Sequence, residues 1–471
     1  MRPVSPTFPA NVRAALSDVQ LQEALQRLNT GFVRTRAAAA ARLPEFEALR
    51  DQARDIKNHT LAHLDVYLEK FENQCQDQGG QVHWCRDTDH ARETVLEICR
   101  EADAKTVTKG KSMVGEEIAI NDYLEVNGIT PIETDLGEYI IQLRGEAPSH
   151  IIAPATHVSK SQVAHAFKQA HQDLDPARAL DEPDEILAEA RSMLRQQFLD
   201  ADVGITGANF LIAETGTSVI VTNEGNGDLT QTLPRVHIVL ASLEKVVPTL
   251  SDVTALLRVL ARSATGQEMS SYTTFSTGPK RTDDADGPAE YHVILLDNGR
   301  TDLLNSEFKE MLRCIRCGAC LNHCPVYGAI GGHAYGWVYP GPMGSVLSPG
   351  LIGIEAAKHL PQASTLCGKC EEVCPVRIPL PKLLRNWRFQ IHDKGLTNWK
   401  AKWGLRIWAF AATRPALYQA MMSLNMRSLA KLAGRKGRFR RLPFLSAWTR
   451  DRDFPAPQGK TFMAQYKEKR G

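Results

Sequence analysis

The chain has 471 residues, 43% of them apolar and 23% charged, which excludes a mainly disordered or fibrous protein and predicts roughly three folding units. No run approaches ~18 uninterrupted apolar residues and Met1 to Ala15 holds no signal-like apolar stretch, so neither a membrane span nor secretion is expected, and the cytoplasm is the expected compartment. The net charge of +2 hides an asymmetry: from Leu396 to Gly471, 17 Lys or Arg face three acids for a net of +14, which leaves −12 on the rest of the chain.

Taken in order, residues 1–78 predict a helical segment. LQEALQRL and RTRAAAAARL are strong helix formers, and Leu61, Leu64, Tyr67, Leu68 and Phe71 follow the helical period. Gly79-Gly80 stops that pattern. Short β-like runs then appear at 81–84, 105–109, 149–154, 209–214, 217–223, 235–241 and 291–297. Helical segments lie between several of them: 88–102, 113–126, 159–171 and 251–263. Alternation at this spacing predicts an α/β domain over 79–300 with a largely parallel core sheet, and the Asp- and Pro-rich stretch Asp173 to Pro183 predicts a surface loop within it. Over 301–395 cysteine, glycine and proline become dense and strand-like runs vanish. A basic region with Trp399, Trp403, Trp408 and Trp448 fills 396–471. Tryptophans at that density imply packing against something, and the charge implies an anionic partner, a membrane surface or the acidic body of the chain itself.

Ten cysteines are present, and seven of them lie between 314 and 374. A disulfide framework suits a large chain without a secretion signal poorly; clustered thiolates point to metal or redox chemistry. Cys314-x2-Cys317-x2-Cys320-x3-Cys324-Pro325 fits the bacterial iron–sulfur run, in which three thiolates on a tight loop hold one cluster and the fourth serves a second. Cys367-x2-Cys370-x3-Cys374-Pro375 repeats its ending, with Ser364 where the leading cysteine would stand. By this crossed pattern Cys314, Cys317, Cys320 and Cys374 ligate one [4Fe-4S] cluster. Cys324, Cys367 and Cys370 give a second cluster three thiolates, so that it is a [3Fe-4S] cluster or a [4Fe-4S] cluster whose last corner takes a non-cysteine ligand such as Ser364 Oγ or solvent. A structural zinc would more naturally use two separated C-x2-C pairs. Cys75, Cys85 and Cys99 have no motif spacing, and Cys99 reads as a buried helical thiol.

Other signals carry less. Gly110-Lys111-Ser112 lacks the earlier glycine of a phosphate-binding loop, since Lys105 stands there. Gly225-Asn226-Gly227 reads as a turn after a strand, and Glu214 to Thr217 as a hairpin turn or a relic of a small-molecule pocket. His157, His165 and His171 match no metal spacing. Arg435, Lys436, Arg438, Arg440 and Arg441 form a basic cluster without a nucleic-acid recognition motif.

The paired cysteine motifs, GGHAYGWVYPGPMG (331–344), LSAWTRDRDFPAP (445–457), TKGKSMVGEE (108–117), TDLGEYIIQL (134–143) and ANFLIAETGTSVIVTNEGN (208–226) together resemble the lactate-utilization protein B family of bacterial L-lactate oxidation. The resemblance implies an α/β lactate-utilization domain like the NagB/CoA-transferase fold, an α-helical ferredoxin domain with two clusters on the seven cysteines, a family-specific C-terminal region, and two companion subunits. The expected function is electron transfer as lactate becomes pyruvate, toward an acceptor that the sequence does not identify. Two rival readings are kept: a catalytic subunit using an open cluster corner or a pocket in the α/β domain, and a cluster-bearing sensor whose tail binds nucleic acid. Nucleic acid is not the expected partner; companion subunits are, and peripheral contact with a membrane is compatible with the charge.

Overall fold

Val, Ile and Thr recur in the runs that become strands, and the computed structural model, which describes residues 3–433, 437–442, 449 and 452–470, gathers six of these runs into one parallel sheet. Its strands are β1 (Gln81–Cys85), β2 (Thr106–Gly110), β3 (Thr130–Glu133), β4 (Val203–Gly207), β7 (Val236–Ser242) and β10 (Glu290–Leu296), in the order β1-β10-β7-β4-β2-β3. A smaller mixed sheet holds β5 (Phe210–Ile212), β6 (Thr217–Thr222), β8 (Val246–Val247) and β9 (Tyr272–Ser276), in the order β8-β5-β6-β9.

The central strands are covered on both faces. Val293 is level with Val239 and Ile205 with Ile238 in the parallel register. Ile238, Leu240, Ile294 and Leu296 face one core with Val95, Ile98 and Cys99 of the helix Thr88–Glu101. Val239, Ala241, Val293 and Leu295 face the other, against Leu68, Phe71 and Cys75 of the helix Leu64–Asp77. Each such side chain, fully buried, contributes about 1.5–3 kcal/mol. Near-continuous apolar runs, rather than alternation with polar residues, are what a doubly covered parallel sheet requires.

One expected strand is absent. Residues 149–154 form a loop, because their backbone and side chains are committed elsewhere. Ser149 N–H bonds the Pro154 carbonyl (3.0 Å), closing the segment on itself, and the Ser149 carbonyl accepts the Tyr327 hydroxyl at 2.7 Å. Four strands of these two sheets had no expected counterpart: β3, β4, β8 and β9. β3 and β8 have only four and two residues. β4, Val-Gly-Ile-Thr-Gly, carries two glycines, and a Cβ on Gly204 would fall 1.8 Å from the Thr230 carbonyl oxygen. The segment expected as one helix over 113–126 is two, Met113–Glu117 and Ile120–Val126.

The chain divides into two units, Met1–Ile391 and His392–Gly471. Within the first, the N-terminal helices are tied to the cysteine-rich segment. Arg50 donates to the Cys374 carbonyl from Nη2 (2.9 Å) and Nε (3.2 Å), and Arg36 Nη2 donates to the Val373 carbonyl at 2.9 Å. The second unit holds the helices Trp399–Ala412 and Pro415–Ala433 and a two-stranded ladder pairing Arg438–Phe439 with Phe454–Pro455. Trp399, Trp403 and Trp408 are exposed. Arg435, Lys436 and Trp448 lie outside the described residues; Arg438 pairs with Asp453 at 2.6 Å. Among the described residues no helix is long and apolar enough to cross a membrane.

Candidate functional site

The two cysteine loops are built on one backbone plan. Arg316 and Gly318 flank Cys317 with φ of +58° and +72°; Leu366 and Gly368 flank Cys367 with +55° and +85°. Each loop then enters a one-turn helix, Ala319–Asn322 or Lys369–Glu372. Non-glycine residues in the left-handed region cost on the order of 1–3 kcal/mol each and persist only where the surroundings enforce them. Alternating backbone of this kind turns successive N–H groups inward, a concavity suited to anionic sulfur. Ala319 N–H thus faces the Cys317 thiol and Lys369 N–H the Cys367 thiol; further along, Tyr327 N–H donates to Cys324 Sγ (3.5 Å) and Ile378 N–H to Cys374 Sγ (3.4 Å).

The seven thiols fall into two neighbourhoods. Cys314, Cys317, Cys320 and Cys374 line one small cavity, closed by Ile315, Met343, Val376 and Leu380 among others. Cys324 and Cys367 lie within electrostatic reach of each other and of Cys370. Burial and then neighbouring thiols push Cys320 well above the ordinary thiol range, while burial pushes Cys370 up to about 12. Cys367 differs: it is exposed, and the Lys369 N–H and Thr365 side chain lower its pKa. Thiols this buried resist ionisation unless a cation meets their charge, which suits metal-bound sulfur. Among the described residues no three His, Cys, Asp or Glu side chains converge on one ion's position, whereas thiols spaced around a cavity suit several irons bridged by sulfide. The residues present therefore fit iron–sulfur clusters. Ser364, which aligns with Cys314 in the repeat, has its Oγ engaged by Leu366 N–H at 3.1 Å.

Three cysteines stay apart. Cys75 sits beneath the β5–β6 turn, where a Cβ on Gly216 would strike its backbone nitrogen at 2.3 Å, and burial raises it to about 12. Cys99 is likewise buried and raised to about 12, and Cys85 is raised by burial against the sheet.

Sequence reasoning missed the buried ionic network behind the first loop. Arg300 clasps Glu117 with two hydrogen bonds (2.7 and 2.9 Å) and makes an ion contact with Glu244 Oε2 at 2.9 Å. Arg316, from inside the Cys314–Cys317 loop, bonds Glu244 Oε1 at 3.0 Å, and the Tyr339 hydroxyl donates to Glu117 at 2.6 Å. Despite burial, these cations hold Glu244 down to about 2. The partners lie between about 55 and 220 residues apart in sequence, so no local pattern announces them. The same holds for the loop 149–154, which lies on the first cysteine loop: His150 Nε2 donates to Asn322 Oδ1 at 2.9 Å, since its Nδ1 accepts from Ile152 N–H. A Cβ on Gly318 would sit 3.2 Å from the His150 ring, so this glycine answers both a positive φ and a close approach.

A second cavity, of about 180 Å³, opens at the carboxyl ends of β2, β4 and β7 and reaches Arg316 and Cys317. The chain leaves β2 toward β3 on one side, while β4 connects toward β7 on the other, so this is where the strand order reverses. Ligands of open α/β sheets bind at such a point.

Comparison with known proteins matches three families in succession: the LUD domain over residues 68–296, the 4Fe-4S dicluster domain over 310–378, and the C-terminal domain of lactate utilisation protein B over 392–470. Lactate utilization protein B of Bacillus velezensis is 41% identical over 460 residues, covering 97% of this chain and 94% of its own. The counterpart of the same name in Geobacillus thermodenitrificans is 42% identical over 442 residues, 93% and 92% of the two chains. Escherichia coli K12 has a relative described as an uncharacterized electron transport protein, YkgF, 38% identical over 98% of this chain and 96% of its own. Similarity at this level spans the sheet, the cysteine loops and the C-terminal unit alike, and the chain belongs to the lactate utilization protein B family.

Proposed function

We propose that this chain is a cytoplasmic iron–sulfur electron-transfer protein of L-lactate oxidation, acting with companion subunits and an external acceptor rather than as the subunit that oxidises lactate. The names of its relatives, lactate utilization protein B and electron transport protein, support both halves of this reading. In it, Cys314, Cys317, Cys320 and Cys374 hold one [4Fe-4S] cluster, and Cys324, Cys367 and Cys370 hold a second of four or three irons. Such clusters, when bound, supply one-electron transfer at potentials set by ligation, burial and hydrogen bonding.

The observation that carries the proposal is the contrast between the two thiol groups: one encloses a cavity in the interior, the other reaches the surface at Cys367. A relay needs both an insulated site and one that a partner can approach. The chain's own residues set the rest. Arg316, Lys57 and Lys245 bring positive charge to Cys314. The N–H groups of Ile378 and Tyr327 partly neutralise sulfur charge, and Met343, Val376 and Leu380 exclude water. Anaerobic reconstitution followed by iron analysis and EPR spectroscopy tests the cluster assignment. Lactate should reduce the clusters only when the companion subunits are present. Reduction by lactate with the purified chain alone would overturn the electron-transfer role in favour of a catalytic one.

A further inference from the structure

The second unit presents two helices that bury almost nothing. Of the helix Trp399–Ala412 only Ala411 is buried, and of Pro415–Ala433 only Ala433. Yet both carry apolar stripes at the helical period. Trp399, Trp403, Ile407 and Phe410 line one side of the first helix, each between 56 and 67% exposed. Leu417, Met421, Leu424 and Leu432 form a like stripe on the second and are also exposed. Apolar surface of this extent on two successive helices marks a face that something covers.

The charges beside the stripes decide what covers it. Lys400 lies over the Trp399 ring (5.7 Å from its centre), Arg406 over Trp403 (5.6 Å) and Arg414 over Phe410 (3.7 Å). Ring and cation thus reach the same patch of surface. No Asp or Glu stands between Asp393 and Asp451, whereas twelve Lys or Arg stand between Leu396 and Asp451. A covering surface must therefore accept apolar side chains and meet positive charge at the same place. A dry protein interface would strip water from these cations, which is costly, and the centres of such interfaces are depleted in Lys. The boundary of an anionic bilayer offers both at once: acyl chains take the apolar stripe, and hydrated headgroup phosphates keep Lys and Arg solvated. Neither helix is long and apolar enough to cross a membrane, so the contact lies in the plane of the surface.

We propose that the helices Trp399–Ala412 and Pro415–Ala433 dock on an anionic phospholipid bilayer, with Trp399, Trp403, Ile407 and Phe410 at the acyl boundary and Lys400, Lys402 and Arg406 among the headgroup phosphates. This surface is a partner site beyond the electron-transfer reading and does not depend on it.

Flotation of the full-length, anaerobically reconstituted protein with vesicles tests it, comparing phosphatidylcholine alone with a mixture of phosphatidylcholine and phosphatidylglycerol at ~0.1 M salt. Partition onto the anionic vesicles should exceed that onto neutral ones about tenfold or more, and should fall severalfold at ~1 M salt. The variant Trp399→Ser, Trp403→Ser, Phe410→Ser keeps every charge and should lower partition about tenfold or more at unchanged iron content. The variant Lys400→Gln, Lys402→Gln, Arg406→Gln keeps the rings and should lower it about fivefold or more on anionic vesicles. Brominated acyl chains should quench the tryptophan fluorescence of the wild type, and quench it less in the ring variant. No flotation of the wild type, equal partition onto neutral and anionic vesicles, or undiminished partition in either variant would overturn the proposal. So would a ring variant that floats normally but no longer captures the companion subunits, since the stripe would then be a protein interface. Dithionite reduction of the same samples reports on the clusters separately: it can succeed where flotation fails, and the reverse.

Discussion

The loops at 314–324 and 364–374 are near-copies in spacing and in backbone, yet one is enclosed and the other faces solvent. Around the first, His150 and Ile152 cover the turn, Arg316 reaches back to Glu244, and the Glu117–Arg300 pair closes the far side. Around the second, Cys367 is exposed, Lys369 pairs with the neighbouring Glu372, and Ser364 replaces the leading thiol. The same motif thus has two surroundings. A repeated sequence fixes how thiolates are spaced on a loop; the elements packed against each copy decide how dry, how charged and how accessible it is.

Five measurements break or sharpen that contrast. The largest effect is expected for Cys317→Ser, which removes a soft thiolate from the enclosed set of four; that cluster should be lost or strongly altered, whereas Cys99→Ser leaves iron content and EPR spectrum unchanged. Wild-type iron and spectrum in Cys317→Ser would break the assignment. Next is the network behind the first loop. Glu117→Gln leaves the buried Arg300 charge with Glu244 alone and should destabilise the first unit by about 1.5–3 kcal/mol in denaturant melts, while Glu372→Gln beside the second loop leaves the denaturant midpoint unchanged.

The sheet that carries the first loop's supports should also respond to acid. Burial holds His237 down to about 3, below its unfolded value of about 6.5, so folding favours the neutral ring. Its contribution is complete above pH ~6.5 and is lost as pH falls below it, at up to about 1.4 kcal/mol per unit. Denaturant midpoints between pH 7 and 5 should therefore fall in the wild type and fall less in His237→Gln; parallel profiles would remove this residue from the account.

A smaller effect separates the loops chemically. The three-thiolate site at the surface should lose iron to chelators and oxygen several times faster than the enclosed one, and Ser364→Cys should slow that loss. Equal rates for both sites would erase the distinction. Smallest is the effect of the basic C-terminal unit. Neutralising Arg435, Lys436, Arg438, Arg440 and Arg441 should weaken capture of the companion subunits a fewfold at low salt and leave iron content alone. Raising salt should do the same to the wild type, because the Debye length falls from ~10 Å at 0.1 M to ~3 Å at 1 M. Undiminished capture by the five-fold variant would reject docking through this unit.

The sequence by itself determined the α/β class, the position of the cysteine loops and the basic end. These are local properties: hydrophobic period, thiol spacing and composition act over a few residues and survive without knowledge of the fold. Of the sequence's two readings for Glu214–Thr217 the hairpin turn is the one found, with Gly216 at φ +68° between β5 and β6. What only the tertiary structure decided is long-range. Residues 149–154 have the apolar content of a strand, but the backbone is held in a loop over Cys317 because Tyr327 and a Gly332 without a Cβ meet Ser149 there. Arg36 and Arg50 reach the second cysteine segment from helices more than 300 residues earlier. Spacing along a chain encodes which atoms a loop can offer to a metal; burial and counter-charge depend on which distant segments fold over it.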